Sequence, residues 1–250
     1  MKRKRQKLGN IERTQTDLTL KQYHITAKND EQKSYMKKIK EHNMVFCYGR
    51  AGTGKTCVAV SIGILELCRG KFDKLVICRP MVDAGEDMGA LPGDVSAKLY
   101  EYLVPIYDEL QYFVSWSDIV RMINSKKIQI VPFGMMRGRT IKDAFIVADE
   151  CQNCTEQQLK MLCTRVGENS KLILTGDIVQ SDLPEKLQGG YKRHIERFDD
   201  WEGSITTAKL HEMVRSEIVS EYLDAWGDDD EEESSKDTKS ERRLHASEHN

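Results

Sequence analysis

The stretch that decides the fold is residues 49–56, which read Gly49-Arg50-Ala51-Gly52-Thr53-Gly54-Lys55-Thr56. It fits G-x-x-x-x-G-K-[ST], the pattern of phosphate-binding loops. An apolar run over 44–48 precedes the loop, and apolar residues at helical spacing follow it at Val58, Ile62 and Leu65. A strand therefore leads into the loop and a helix over 57–69 leaves it, as phosphate binding requires.

The residue types in this loop suit a chain of phosphates. Glycine lets the backbone approach an oxygen without a clash from Cβ, and N–H groups at a helix N-terminus attract an anion. Lys55 would reach the β- and γ-phosphates of ATP, and the Thr56 hydroxyl would be a ligand of Mg²⁺. The predicted nucleotide-binding residues of the loop are Gly49, Ala51, Gly52, Thr53, Gly54, Lys55 and Thr56. The alternative is a glycine-rich turn that contains a lysine by chance.

A second signal is the apolar run 144–148, which ends in two carboxylates, Asp149 and Glu150. Asp149 is predicted to hold Mg²⁺ through its water shell. Glu150 is predicted to orient the water that attacks the γ-phosphate. An apolar strand that ends in two acids is mostly structural when it stands alone, but its position after the phosphate loop favours the functional interpretation.

A third strand end reads Leu172-Ile173-Leu174-Thr175-Gly176-Asp177 and continues to Gln180. Polar groups at the tip of a strand beside the two acids can sense the γ-phosphate and pass its state to a nucleic-acid surface. We therefore predict that Asp177 contacts the nucleotide and that Gln180 takes part in catalysis. The spacing Gly-Asp-x-x-Gln is similar to a motif of superfamily 1 helicases.

Three arginines follow predicted strands. Arg79 comes after the strand 75–78 and opens a long loop, 79–94, while Arg137 and Arg139 follow the strand 128–131. Ligands of open α/β sheets bind at the carboxyl ends of strands, and arginines there can clamp phosphates of a nucleotide or a nucleic acid. Arginines that only face solvent are the alternative. A helix is predicted over 95–113, kinked near Pro105.

Gln32 lies upstream, in a predicted helix from Asp30 to His42 that presents Tyr35 and Ile39 on one face. A glutamine ahead of the loop can read the edge of adenine, because its amide both donates and accepts hydrogen bonds. A surface glutamine without a role is the alternative.

The composition of the chain limits its domain organisation and its location. The chain has 250 residues, 39% of them hydrophobic and 31% charged, with a net charge of −2. We predict a basic flexible arm over 1–17, one domain over 18–226 and an acidic disordered tail over 227–250. No apolar run is long enough to span a membrane, the basic start is not a secretory signal, and seven cysteines favour reduced thiols in the cytoplasm. The pair Cys151 and Cys154 lacks the second pair of ligands that structural zinc needs.

These residues together resemble the PhoH-like ATPases. The resemblance covers 32–215 in matching order and is carried by Arg50 through Thr56, Arg79-Pro80, Ala84-Gly85-Glu86, Leu91 through Asp94, Met136 through Thr140, Asp149-Glu150 with Gln152-Asn153, and Thr175 through Pro184. Arg50 stands where relatives have proline and Cys151 where they have alanine. Neither difference removes a phosphate or metal ligand.

The resemblance implies a P-loop NTPase fold of the RecA-like kind, with a doubly wound, mainly parallel α/β sheet. It also implies ATP and Mg²⁺ as cofactors, RNA or single-stranded nucleic acid as partner, and no membrane. Because only one RecA-like domain is present, a neighbouring subunit would supply the second face, so a homo-oligomer such as a ring is expected. Arg215, at the start of a predicted helix over 212–226, would complete the site in trans, unless it is an ordinary surface arginine. The implied catalytic residues are Lys55, Glu150, Gln180 and Arg215.

Two other functions stay open. A slow nucleotide-dependent switch or adaptor would bind the nucleotide and signal through the loop 79–94 without motor activity. A kinase is the weaker possibility, because the sequence shows no lid for a second phosphate substrate. Glu150 favours hydrolysis, since a switch does not need a residue that positions water.

Overall fold

The structure is a computed structural model that describes residues 24–80, 104–214, 218 and 221. Its strands are β1 (Met44–Gly49), β2 (Lys74–Arg79), β3 (Ile128–Pro132), β4 (Ala144–Ala148), β5 (Lys171–Gly176) and β6 (Ile205–Leu210). Its helices are α1 (Asp30–Glu41), α2 (Lys55–Cys68), α3 (104–111), α4 (Trp116–Asn124), α5 (Glu156–Cys163) and α6 (Gly190–Phe198). Short 3₁₀ turns cover Phe133–Met136, Cys151–Asn153 and Glu185–Leu187.

The strands form one sheet in the order β3-β2-β4-β5-β1-β6, and every pairing is parallel. In a parallel sheet all carboxyl ends meet at one edge, so the loops after β1, β2, β4 and β5 are neighbours although they are distant in sequence. This edge holds the phosphate loop, Arg79, Asp149, Glu150 and Asp177. The doubly wound α/β fold with the P-loop NTPase arrangement is confirmed.

Both faces of the sheet are covered, as parallel sheets require. One apolar cluster packs α1, α2, α3 and α4 on one face, and a second packs α5 and α6 on the other. Within the second cluster, the Tyr191 hydroxyl of α6 lies 2.8 Å from the Cys47 carbonyl and 3.1 Å from that of Leu174. This buried hydroxyl links α6 to the neighbouring strands β1 and β5.

The first helix has the features that the sequence predicts. The side chain of Asn29 caps α1 by accepting from the N–H of Gln32, and Tyr35 and Ile39 are fully buried. In the described part of the chain, no helix has the length and apolar character needed to cross a membrane.

Three elements were not predicted: α4, α6 and β6. Each shows few buried residues, since α4 buries Ile119 and Met122, and α6 buries only Gly190, Tyr191 and Ile195. Helix α2 also starts earlier than predicted, at Lys55, because the last two residues of the phosphate loop already form its first turn. Four sequence predictions lie wholly or partly outside the described residues: residues 81–94 of the predicted loop 79–94, the start of the predicted helix 95–113, Arg215, and the domain boundaries at 17 and 226.

The elements above belong to the first of two units of the chain, Met1–Met213; the second is Val214–Asn250.

Gly63 in the middle of α2 gives a test of the packing. A Cβ there would lie 2.7 Å from Leu75 Cδ1 and 2.9 Å from Phe145 Cδ1, closer than atoms in van der Waals contact. Gly63→Ala should therefore lower the free energy of unfolding by about 1–2 kcal/mol, although alanine is the better helix former. Urea unfolding would measure this. Gly134→Ala is the matched control, because a Cβ at Gly134 meets open space; equal stabilities of the two variants would contradict the packing described.

Candidate nucleotide and metal site

The phosphate loop joins β1 to α2 in a conformation that needs glycine at two points. A Cβ on Gly49 would lie 1.9 Å from the Leu210 carbonyl oxygen of β6, so no larger residue fits. Gly54, the N-cap of α2, has φ of 86° and provides no side-chain cap, and the first turn of α2 holds no acidic residue. No side chain therefore caps the start of α2, and an anion such as phosphate would satisfy its first N–H groups.

Lys55 points back over this loop. Its ammonium donates to the carbonyl oxygens of Gly49, at 2.6 Å, and Arg50, at 2.7 Å. Burial lowers the pKa of Lys55 from its usual value, while Asp177, Glu150 and Asp149 nearby act in the opposite direction. The ammonium thus sits where it could move onto a phosphate oxygen.

Asp149 is the centre of the site. It follows β4, and its side chain is 6% exposed. The hydroxyls of Thr56 and Thr175 donate to its Oδ1 at 2.6 and 2.7 Å. One carboxylate oxygen therefore joins the start of α2, the end of β4 and the end of β5.

Glu150 extends from the same strand end into solvent, with a side chain 41% exposed. Its backbone is in the left-handed region, with φ of 57°, which a residue other than glycine seldom adopts. Arg79 Nη2 donates to Oε1 at 3.0 Å, and Gln152 Nε2 donates to Oε2 at 2.6 Å. Both oxygens of Glu150 are held by side chains.

The tip of β5 is tied to the 3₁₀ turn Cys151–Asn153. The N–H of Asp177 donates to Gln152 Oε1 at 3.0 Å, and the hydroxyl of Ser181 donates to the Gln152 carbonyl at 3.0 Å. Asn153 and Asp182 exchange two hydrogen bonds, each of 2.8 Å. These contacts fix the exposed segment 178–182 against the residues that follow Glu150.

Asp177 and Gln180 are placed differently from one another. Asp177 is buried, and its carboxylate accepts from the N–H of Val179 two residues on, so it shapes the turn at the strand tip. Gln180 is exposed on this turn. A role of Asp177 in nucleotide binding and of Gln180 in catalysis stays a prediction.

Gln32 is also buried, and its amide is engaged on both sides. Nε2 donates to the Thr53 carbonyl of the phosphate loop at 3.0 Å, and Oε1 accepts from the N–H of Lys28 at 3.0 Å. The structure thus ties Gln32 to the loop itself. Contact with adenine stays a prediction.

The three arginines occupy different environments. Arg79 is 13% exposed and contacts carboxylates, whereas Arg137 is exposed on the surface. Arg139 is half-buried and donates to Gln129 Oε1 of β3 at 3.0 Å. Of the three, Arg137 is therefore the one with a surface position that suits a phosphate of a polymer.

Sequence reasoning missed the roles of Thr175 and Gln152 and the carboxylate contacts of Arg79. The signal for Gln152 was its position two residues after Glu150, and for Thr175 a hydroxyl at a strand end beside the predicted metal ligand. Neither signal is specific by itself. The contact of Thr175 with Asp149 and that of Gln152 with Asp177 also require β5 to lie beside β4.

The arrangement fits a nucleoside triphosphate and Mg²⁺. Thr56 and Asp149 are oxygen donors of the kind that Mg²⁺ prefers, and the uncapped start of α2 with Lys55 suits phosphates. No cluster of three or more His, Cys, Asp or Glu side chains able to bind a metal exists among the residues that the structure describes. Cys151 and Cys154 are buried free thiols.

Two sizeable grooves lie away from this edge. One, of about 740 Å³, lies between α5 and α6 and reaches Met44 and Ile205, the first residues of β1 and β6. The other, of about 710 Å³, runs along the outer side of α1. Since the first is at the opposite end of the strands, the candidate site is identified by its chemistry and not by cavity size.

The chain is similar to proteins of one known family. The sequence model of the family described as "PhoH-like protein" matches residues 24–227. The PhoH-like protein of Synechocystis sp. is 39% identical over 203 residues, which cover 81% of this chain and 62% of that protein. The PhoH-like protein of Bacillus subtilis is 38% identical over 203 residues, with 81% and 64% covered. Protein PhoH of Escherichia coli K12 is 37% identical over 206 residues, with 81% and 58% covered. This chain thus spans roughly three fifths of the relatives it matches.

The solved structures that match this chain are less similar to it. The Pif1 helicase from Candida albicans has a TM-score of 0.41 and 16% identity, covering 80% of this chain and 43% of its own. A Bacteroides Pif1 bound to ssDNA has a TM-score of 0.33 and 13% identity, covering 80% and 45%. Agreement at this level carries no argument about function.

Thr175 provides a test of how the buried carboxylate is held. Thr175→Val keeps the shape but removes a hydroxyl that donates to Asp149, so the free energy of unfolding without metal should fall by about 1.5–3 kcal/mol. Thr175→Ser keeps the donor and should lose clearly less. Urea unfolding of both variants in a chelator would measure this. Equal losses in the two would show that packing, and not the hydrogen bond, matters at this position.

Proposed function

Because the chain belongs to the PhoH-like protein family, we propose that it is a magnesium-dependent ATPase whose hydrolysis is coupled to RNA or single-stranded nucleic acid. The proposal extends the family assignment to a specific reaction and partner. ATP is the nucleotide that the resemblance implies, and the position of Gln32 against the phosphate loop is compatible with it.

The observation that carries the proposal is the contact between Thr56 and Asp149, 2.6 Å, with Glu150 as the next residue. It brings a hydroxyl from the phosphate loop against a carboxylate from another strand, at a site with one further, partly exposed carboxylate. A phosphate-binding turn without catalysis would not need this second acid. The combination supports hydrolysis over simple binding.

Each residue then has a distinct task. The N–H groups of the loop and the ammonium of Lys55 would hold the β- and γ-phosphates and neutralise their charge. Thr56 would ligate Mg²⁺ directly, and Asp149 would hold it through water. When bound, Mg²⁺ would supply positive charge that stabilises the transition state. Glu150 would accept a hydrogen bond from the attacking water and orient it toward the γ-phosphorus.

Surface features at the same edge support a polymer partner. Val179 and Gln180 on the β5 tip and Arg137 after β3 are exposed there. An exposed apolar side chain, an amide and a guanidinium suit bases and phosphates of a single strand. Because the net charge is −2, such binding would be a local contact and not a long-range field.

Two further parts of the proposal concern the setting. The sheet is one RecA-like unit, so a homo-oligomer would let a neighbouring subunit complete the site. The seven cysteines are all free thiols, which agrees with a reducing compartment such as the cytoplasm.

The first test is steady-state hydrolysis of ATP with Mg²⁺. Lys55→Ala and Glu150→Gln should each lower turnover by more than about 100-fold, because each removes a charge that acts on the transition state. Glu168→Gln is the matched control, since Glu168 pairs with Lys142 on the surface. Normal turnover in Glu150→Gln would show that Glu150 does not position the attacking water. Absence of turnover in the wild type, with tight magnesium-dependent ATP binding, would favour the nucleotide switch instead.

The second test concerns the nucleic acid. Poly(U) RNA should stimulate hydrolysis. Arg137→Gln should raise the RNA concentration needed for half-maximal stimulation. It should also lower the slope of log affinity against log salt concentration by the amount expected for about one lost phosphate contact. Arg197→Gln removes the same charge from α6 beside the groove at the opposite end of the sheet, and should have little effect. Turnover indifferent to RNA and to single-stranded DNA would leave the ATPase but reject the coupling.

A further inference from the structure

Both carboxylate oxygens of Glu150 accept hydrogen bonds from side chains of the protein, although Glu150 is the residue proposed to act on a water molecule. Its Oε1 accepts from Arg79 and its Oε2 from Gln152, at 3.0 and 2.6 Å. The two donors approach from different elements, the end of β2 and the turn after β4. A carboxylate held at one oxygen could still rotate, whereas two partners fix the plane of the group.

The contact with Arg79 is built into the sheet. Cys78 of β2 pairs with Ala148 of β4, and the N–H of Asp149 continues the ladder by donating to the Cys78 carbonyl at 2.9 Å. The residue after Cys78 must therefore lie beside Asp149 and Glu150. Arg79 Nε is 3.3 Å from Asp149 Oδ2, without the alignment of a hydrogen bond, so that contact is an ion pair while the directed bond goes to Glu150.

The contact with Gln152 is equally constrained. Its Oε1 accepts from the N–H of Asp177, so the amide spans from Glu150 to the end of β5. Gly176 leaves the space that this requires, because a Cβ there would lie 2.9 Å from Gln152 Oε1. The amide is thus fixed at both ends, and its direction toward Glu150 follows from the position of the β5 tip.

We propose that Arg79 and Gln152 are positioning residues that hold Glu150 from both sides in the orientation needed to direct water. Each carboxylate oxygen has two lone pairs, and each partner uses one, so Glu150 keeps an acceptor on either oxygen. Because the left-handed backbone at Glu150 turns the side chain away from the strand direction, these two bonds, and not the strand, set where the carboxylate points. This role differs from the phosphate or nucleic-acid contact that the sequence suggested for Arg79.

The two hydrogen bonds that orient Glu150 depend on different elements of the fold. Arg79 is anchored in a neighbouring strand of the sheet, so its position changes little. Gln152 is bonded to the base of the exposed segment 178–182, which Ser181 and Asp182 tie to the same turn. A partner that shifts this segment would change the hydrogen bond between Gln152 and Glu150. The proposed nucleic-acid surface is therefore directly connected to Glu150.

The test rests on the proposed ATPase activity and uses the full chain. Arg79→Met and Gln152→Met remove the donors but keep long side chains, and each is made in the wild type and in Glu150→Gln. Gln158→Met is the matched control, because it makes the same substitution at the start of α5, where the Gln158 amide accepts from the N–H of Thr155. Turnover, KM for ATP and the affinity for a fluorescent ATP analogue are measured for each, together with the thermal unfolding midpoint.

Arg79→Met and Gln152→Met should each lower kcat by about 10–100-fold and leave KM within about twofold, as expected for partners that orient a catalytic group. In the Glu150→Gln background neither should lower kcat further by more than about twofold, because both act through Glu150. Gln158→Met should leave kcat within about threefold of the wild type in the absence of nucleic acid.

Three outcomes would overturn the proposal. Wild-type-like kcat in both variants would mean that Glu150 needs no positioning, and equal losses in the Glu150→Gln background would mean that both residues act elsewhere. An inactive wild type would reject the proposed function and the positioning roles together, whereas the first two results reject only the positioning. If a methionine variant does not fold, Arg79→Lys and Gln152→Asn replace it. Lysine lacks the forked donors of arginine and asparagine is shorter than glutamine, so each is expected to lower kcat in the same way.

Discussion

The constraint on which the rest of the site depends is a buried negative charge at Asp149. A carboxylate that is 6% exposed is costly to bury unless hydrogen bonds and an opposite charge compensate it. Thr56 and Thr175 supply the hydrogen bonds, and Arg79 supplies the charge. Because these partners come from α2, β5 and β2, satisfying one carboxylate fixes the relative positions of three elements. The phosphate loop is thereby held at a set distance from Glu150.

The sequence was sufficient to predict the parts of this site that are contiguous. The local patterns are the phosphate loop, the apolar strands 44–48, 144–148 and 172–174, and the pair Asp149-Glu150. The fold class is what the family resemblance of these patterns implies. The capping box at Thr155, with Gln158 as its reciprocal partner, is a local pattern of the same kind. Local patterns of this kind can be read without knowing which strands are neighbours.

What could not be predicted depends on pairing across the sheet or on weak periodicity. Arg79 contacts Glu150 only because β2 lies beside β4, and Thr175 reaches Asp149 only because β5 lies on the other side of β4. The strand β6 was missed because Ile205–Leu210 mixes apolar and polar residues and pairs with one neighbour only. Helix α6 was missed for a related reason, since its buried contacts are confined to a few residues of a largely charged segment.

The order of the strands also bears on how the chain is made. Strand β1, which carries the phosphate loop, pairs with β5 and β6, and both of these are translated long after it. Gly49 itself is packed against Leu210, the last residue of β6. While the polypeptide emerges from the ribosome, β1 therefore has no partner strand until nearly the whole domain has been synthesised. The phosphate loop should therefore acquire its conformation late in synthesis. The apolar strand β1 is exposed to chaperones during that interval.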